Sequence, residues 1–88
     1  MAEVPVGALG AMCSPTMRRV VEVVARRPGI SGQALADAVY AERVDGGPEN
    51  APGVLRVQIS KWNRRLASSG WRVSGEGRGS RGYHLVRL

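Results

Sequence analysis

Phenylalanine is absent from this sequence of 88 residues, and cysteine, histidine and lysine each occur once. Cys13 has no partner for an internal disulfide and no Cys or His beside it at metal-ligand spacing, so we expect neither a disulfide framework nor a metal site. The sequence has no long apolar run, and the stretch before Cys13 is too short and too glycine-rich for a signal peptide. These absences predict an intracellular, cytoplasmic protein with no membrane partner.

The sequence also lacks combinations of residues that are typical of catalytic sites. The lone His84 has no acidic neighbour in the sequence, and no nucleophile stands at a useful spacing from a base. The run Gly77-x-Gly79 lies between two predicted strands and opens no helix, so it does not fit a phosphate-binding loop. We therefore expect no enzymatic activity and no cofactor.

The charged residues are unevenly distributed along the chain. Residues 1–52 carry five arginines against six acidic residues, a net charge of −1, whereas residues 53–88 carry eight basic residues against Glu76 alone, a net charge of +7. A GC-rich genome would explain why arginine outnumbers lysine, but it would not explain this asymmetry. We expect a basic face on one part of the fold, with a polyanion such as nucleic acid as its partner.

Two amphipathic helices are predicted in the first half of the chain. Ser14 is expected to cap the first helix, with Pro15 at the first helical position, where its missing N–H costs nothing. An apolar stripe follows at i, i+3, i+4 and i+7, and the Pro-Gly at residues 28–29 ends the helix. The stripe consists of Met17, Val20, Val21 and Val24. Ser31 is expected to cap the second helix, which runs to about Glu42.

Two segments carry no sustained period. Residues 1–13 contain one proline and two glycines and predict an N-terminal arm, or at most one short strand. Residues 43–53 combine prolines, glycines and acidic residues and predict a loop.

The strongest periodicity predicts a third helix over about residues 53–69. Its apolar positions recur at i, i+4, i+7 and i+11 and share a narrow sector of the helix. They are Leu55, Ile59, Trp62 and Leu66. The opposite side is short, polar and basic. It presents Val57, Ser60, Lys61 and Arg64, flanked by Arg56 and Asn63.

From Trp71 onward the period changes to two. Trp71 and Val73 alternate with polar residues, and Tyr83 and Leu85 show the same alternation, which predicts a β-hairpin over about residues 71–88. Both tryptophans and Tyr83 fall on core-facing positions, which argues against stacking platforms for single-stranded nucleic acid.

Three helices followed by a C-terminal hairpin predict an α+β domain of the winged helix-turn-helix type over residues 14–88. In this design the third helix enters the DNA major groove, and the hairpin, or wing, lies on the backbone or in the minor groove. The wing arginines Arg78 and Arg81 are placed for that contact. A chain of this length buries only about 60% of its unfolded surface, so homodimer formation stays open.

Three pieces of the sequence, in this order, resemble the OmpR/PhoB-type effector domain of bacterial response regulators. Residues 16–29 are similar to that family's first helix and the Pro-Gly after it. Residues 57–66, VQISKWNRRL, are similar to its recognition helix, and residues 79–85, GSRGYHL, to the end of its wing. The resemblance spans roughly residues 14–88.

The resemblance implies a transcription regulator that binds double-stranded DNA by sequence. It places Val57, Gln58, Lys61, Asn63 and Arg64 at positions that touch bases or phosphates, and it gives the loop over residues 43–53 a contact with RNA polymerase. A plain connector is the other interpretation of that loop.

The sequence also departs from the family. It lacks a receiver domain, residues 1–13 are too short for the sheet that precedes the first helix, and Trp62 and Asn63 replace a leucine and a basic residue. These departures favour a stand-alone regulator, of phage or mobile-element type.

The full set of candidate DNA-binding residues contains ten members. They are Arg56, Val57, Gln58, Ser60, Lys61, Asn63, Arg64, Arg65, Arg78 and Arg81. Reasoning from the residues alone narrows this set to Val57, which suits a thymine methyl, and to Lys61 and Arg64, which suit guanine or phosphate. Two alternatives stay open: a merely solvated basic surface, and a winged-helix adapter that binds an acidic protein partner.

Overall fold

The computed structural model describes residues 5–41, 47–75 and 82–88. The described part contains four α-helices followed by an antiparallel pair of strands. In chain order these are α1 (Val6–Ala11), α2 (Pro15–Arg26), α3 (Gly32–Val39), α4 (Ala51–Leu66), β1 (Trp71–Ser74) and β2 (His84–Arg87), with a 3-10 turn at Ala67–Ser69 between α4 and β1. The expected α+β class is confirmed, with one helix more than the three predicted.

The predicted capping residues begin α2 and α3. Ser14 Oγ accepts a hydrogen bond from the backbone N–H of Met17 at 3.3 Å, and Ser31 Oγ accepts one from Ala34 at 3.1 Å. α3 ends at Val39, short of the expected end near residue 42. It ends there because Tyr40 leaves the helical conformation and is buried against Gly47.

The N-terminal helix α1 corrects a prediction, because an arm or a short strand was expected over residues 1–13. Leu9 of α1 is 1% exposed and packs in the core. The backbone of α1 is tied to later residues: Arg18 Nε donates to the carbonyl of Gly10 at 3.2 Å, and Cys13 Sγ donates to the carbonyl of Leu9 at 3.1 Å. A glycine-containing segment has low intrinsic helix propensity, so tertiary packing stabilises this helix.

The core lies between the helices and the inner face of the strands. The apolar stripe of α2 is fully buried, as predicted, and so is the predicted inner side of α4 except for Trp62, which is half-buried. The largest fully buried side chains are Leu9, Met17, Val20, Val21, Val24, Leu35, Leu55, Leu66 and Val73.

The two strands form a sheet that is joined at one edge to the α2–α3 connection. Val73 of β1 lies opposite Leu85 of β2, and these positions face the core while Arg72 and His84 face outward. Just before β2, Tyr83 donates to the carbonyl of Ile30 at 2.9 Å and accepts from the N–H of Gly29 at 2.8 Å. The described residues therefore form an α+β domain in which α3 and α4 precede a C-terminal hairpin, an arrangement compatible with a helical domain that carries a wing. Within the described ranges, no helix has the length and apolarity needed to cross a bilayer.

Candidate nucleic-acid interface

The exposed side of α4 is the candidate interface. α4 begins at Ala51, two residues earlier than predicted, and its regular turns end at Leu66. Since Leu55, Ile59 and Leu66 are buried, the helix has one orientation, and its opposite side is exposed to solvent. The exposed side chains are Val54, Arg56, Val57, Ser60, Lys61, Arg64 and Arg65. Val57 is 56% exposed and is the most exposed large apolar side chain of α4.

The charge of this region has one sign. Residues 50–75 and 82–88, which carry α4 and both strands, contain no acidic residue. Their six basic residues are all exposed: Arg56, Lys61, Arg64, Arg65, Arg72 and Arg87. Because exposed charges of one sign raise the local positive potential, we expect such a surface to attract polyanions.

Two open depressions follow the basic side of α4. One has a volume of about 300 Å³ and is lined by Ser60, Lys61 and Arg64. The other has a volume of about 380 Å³ and is lined by Gln58, Lys61, Trp62 and Arg65. Lys61 lines both of them.

Trp62 lies at the boundary between core and surface. Its indole packs against the core, as expected, but the side chain is only half-buried. The guanidinium carbon of Arg65 lies 4.9 Å from the centroid of the indole ring, which is cation–π distance. The sequence pattern assigned Trp62 to the core and gave no sign of this contact.

Asn63 has a structural role that the sequence did not reveal. Its Nδ2 donates to the carbonyl of Val73 at 3.0 Å, and its Oδ1 accepts from the N–H of Val73 at 2.8 Å. Asn63 is half-buried and joins α4 to β1. Its amide therefore bonds to the protein backbone through both polar atoms, and its assignment as a DNA contact stays a prediction.

The described part of the wing carries an exposed arginine that the candidate set left out. The candidates Arg78 and Arg81 lie outside the described residues. Arg72, on the outward face of β1, is exposed and was missing from the candidate set. Its alternation with Trp71 and Val73 was the signal that could have included it.

The chain matches no protein-family model, no curated protein and no solved structure.

Proposed function

We propose that this chain binds double-stranded DNA by sequence, with α4 in the major groove and the hairpin against the backbone. The observation that carries the proposal is the exposed side of α4, on which Val57, Lys61 and Arg64 project from a helix whose other side is buried. A helix with side chains is about 10–12 Å across, and the major groove is about 12 Å wide.

The residue types on this side of α4 suit both contacts to the DNA phosphates and contacts to the base edges. Lys61 and Arg64 neutralise phosphates or donate to guanine acceptors, and Val57 suits the methyl group of thymine. Among the described residues, neither Lys61 nor Arg64 makes a hydrogen bond or ion pair with another side chain. Their charges are therefore available to an external ligand.

We further propose that the biological role is transcription regulation in the cytoplasm by a DNA-binding domain of OmpR/PhoB type. This step is supported by the resemblance of residues 14–88 and by the winged-helix architecture. RNA polymerase is a proposed second partner through residues 43–53, of which positions 47–53 are described.

The test is a binding titration of the full chain with DNA. A duplex is selected from a random pool, and its affinity is compared with that of a scrambled duplex over a salt series. We expect affinity to fall steeply with salt, and Lys61→Ala or Arg64→Ala to weaken the selected duplex more than the scrambled one, with a loss of discrimination of about 1–3 kcal/mol.

A charge-matched control is Arg18→Ala, because Arg18 lies on α2 and contacts α1. It should leave discrimination unchanged. If no duplex binds at about 50 mM salt, where phosphate contacts are strong, DNA binding is wrong, and this result would favour the adapter that binds an acidic protein partner. If the substitutions weaken both duplexes equally, α4 does not recognise sequence.

A further inference from the structure

The depression beside Trp62 lies on the flank of α4. Val57, Lys61 and Arg65 occupy positions i, i+4 and i+8, which form one row along the helix. Because each four-residue step turns about 40° around an α-helix, the row moves steadily from the exposed side toward the flank. The phosphate backbone forms the walls of the major groove. When Val57 faces the base edges, Arg65 is therefore turned toward the backbone on one side.

The contact between Arg65 and Trp62 restricts a side chain that would otherwise be mobile. When a guanidinium stacks on an indole ring, the favourable contact restricts the arginine to fewer rotamers. Its N–H donors remain available to a ligand. Such a guanidinium can bind an anion through two parallel hydrogen bonds. Because the side chain is already ordered, binding costs less conformational entropy.

The other lining residues suit the same ligand. Lys61 adds a second positive charge, the Gln58 amide adds donors, and no acidic side chain lines the depression within the described part of the chain. Two cations, an amide and an aromatic wall form a site for a single anionic group.

We propose that this depression holds one phosphodiester of the DNA backbone, with Arg65 as its main ligand and Trp62 as the positioning residue that orients Arg65. The inference rests on the proposed DNA binding and names a contact within it. Charge complementarity supports it, and so does the position of Lys61, which lines both this depression and the neighbouring one on the exposed side of α4.

The experiment compares Arg65→Ala, Trp62→Leu and the double variant in the titration described above. Arg65→Ala should weaken the selected and scrambled duplexes alike, on the order of tenfold. The slope of log affinity against log salt should decrease by about 0.9, the value for one phosphate contact. Trp62→Leu should weaken both duplexes roughly two- to fivefold, and Trp62→Phe should restore most of that loss because it keeps a ring face.

The double variant separates positioning from other roles of Trp62. If Trp62 acts through Arg65, Trp62→Leu has no further effect once Arg65 is alanine. If Trp62→Leu lowers DNA affinity by the same factor in the wild type and in Arg65→Ala, the positioning role of Trp62 is overturned. Thermal unfolding of each variant, with binding measured well below its midpoint, separates these effects from loss of fold.

The two proposals fail in different ways. If the wild-type chain binds no duplex, DNA binding itself is wrong. If the wild type binds but Arg65→Ala keeps its affinity and its salt slope, only the phosphate site is wrong.

Discussion

The side-chain amide of Asn63 pairs with the backbone of Val73 through both of its polar atoms, at 2.8 and 3.0 Å. β1 pairs with β2 along one edge, and at its other edge Val73 bonds to Asn63 in place of a neighbouring strand. The Asn63 side chain therefore supplies hydrogen-bond partners for the N–H and carbonyl of Val73 at this strand edge, and it fixes the hairpin to α4. In the proposed complex, this contact sets the position of the wing relative to the helix in the major groove.

Replacement of Asn63 by alanine should lower the free energy of unfolding by about 1–3 kcal/mol, because two half-buried backbone groups lose their partner. Urea unfolding measures the loss. Ser60→Ala on the same helix is the matched control, since Ser60 is exposed, and it should change stability by less than about 0.5 kcal/mol. Equal stability of the two variants would show that the pairing with Val73 contributes nothing.

Much of this fold could be predicted from local pattern. The caps at Ser14 and Ser31 and the buried side of α4 follow from residues within one or two helical turns. The pairing of Asn63 with Val73 could not be predicted, because a side chain that bonds to a backbone ten residues away leaves no period in the sequence. The same limit applies to the contact between Arg65 and Trp62, whose spacing suits many surface pairs.

The helix α1 was missed because its stability is tertiary, and this can be tested at Leu9. Leu9→Ala should lower the free energy of unfolding by about 2–5 kcal/mol, since it removes a fully buried side chain and leaves a cavity. Met12→Ala is a control in the same region. Met12 is 37% exposed, so Met12→Ala should lower the free energy of unfolding by less than Leu9→Ala does. If the two substitutions cost the same, α1 does not pack into the core in solution.

Two glycines with positive φ distinguish backbone strain from steric overlap. Gly70 and Gly82 have φ of +86° and +96°, but a Cβ at Gly70 meets no atom within 4 Å, whereas one at Gly82 overlaps the backbone of Gly29. Gly70→Ala should therefore cost about 1–2 kcal/mol, the penalty for the left-handed conformation alone.

Gly82→Ala should cost more than Gly70→Ala, because it also separates Tyr83 from Ile30 and so detaches β2 from the α2–α3 connection. Thermal unfolding of both variants measures the difference. Equal midpoints would contradict the close backbone approach at Gly82.

The buried thiol of Cys13 makes stability depend on pH. Burial raises the pKa of Cys13, and the charge of Arg18 lowers it by a smaller amount. The folded state therefore holds the thiol proton more tightly than the unfolded state does. This contribution is fully present below the unfolded pKa, about 8.5, and is lost as pH rises through the folded pKa.

We expect the free energy of unfolding of the wild type to fall relative to that of Cys13→Ala as pH is raised from 7 to 10. Urea unfolding of both proteins at each pH measures the difference, and other titrating groups cancel in the comparison. A constant offset between the two proteins across this range would show that the pKa of Cys13 is not raised by folding.

Val57 allows a test of base recognition that is independent of charge. Since a buried methylene-sized group contributes about 0.8 kcal/mol, replacement of the contacted thymine by uracil should weaken wild-type binding roughly three- to fourfold. The same exchange should have a smaller effect on Val57→Ala, because the two methyl groups that extend from Cβ toward the thymine methyl are then missing. Uracil is introduced at one thymine of the selected duplex at a time, and affinity is measured for both proteins. The position at which the effect is reduced in the variant identifies the base that Val57 contacts. If no position behaves in this way, the exposed Val57 does not contact a thymine methyl, and recognition depends on the polar side chains of α4.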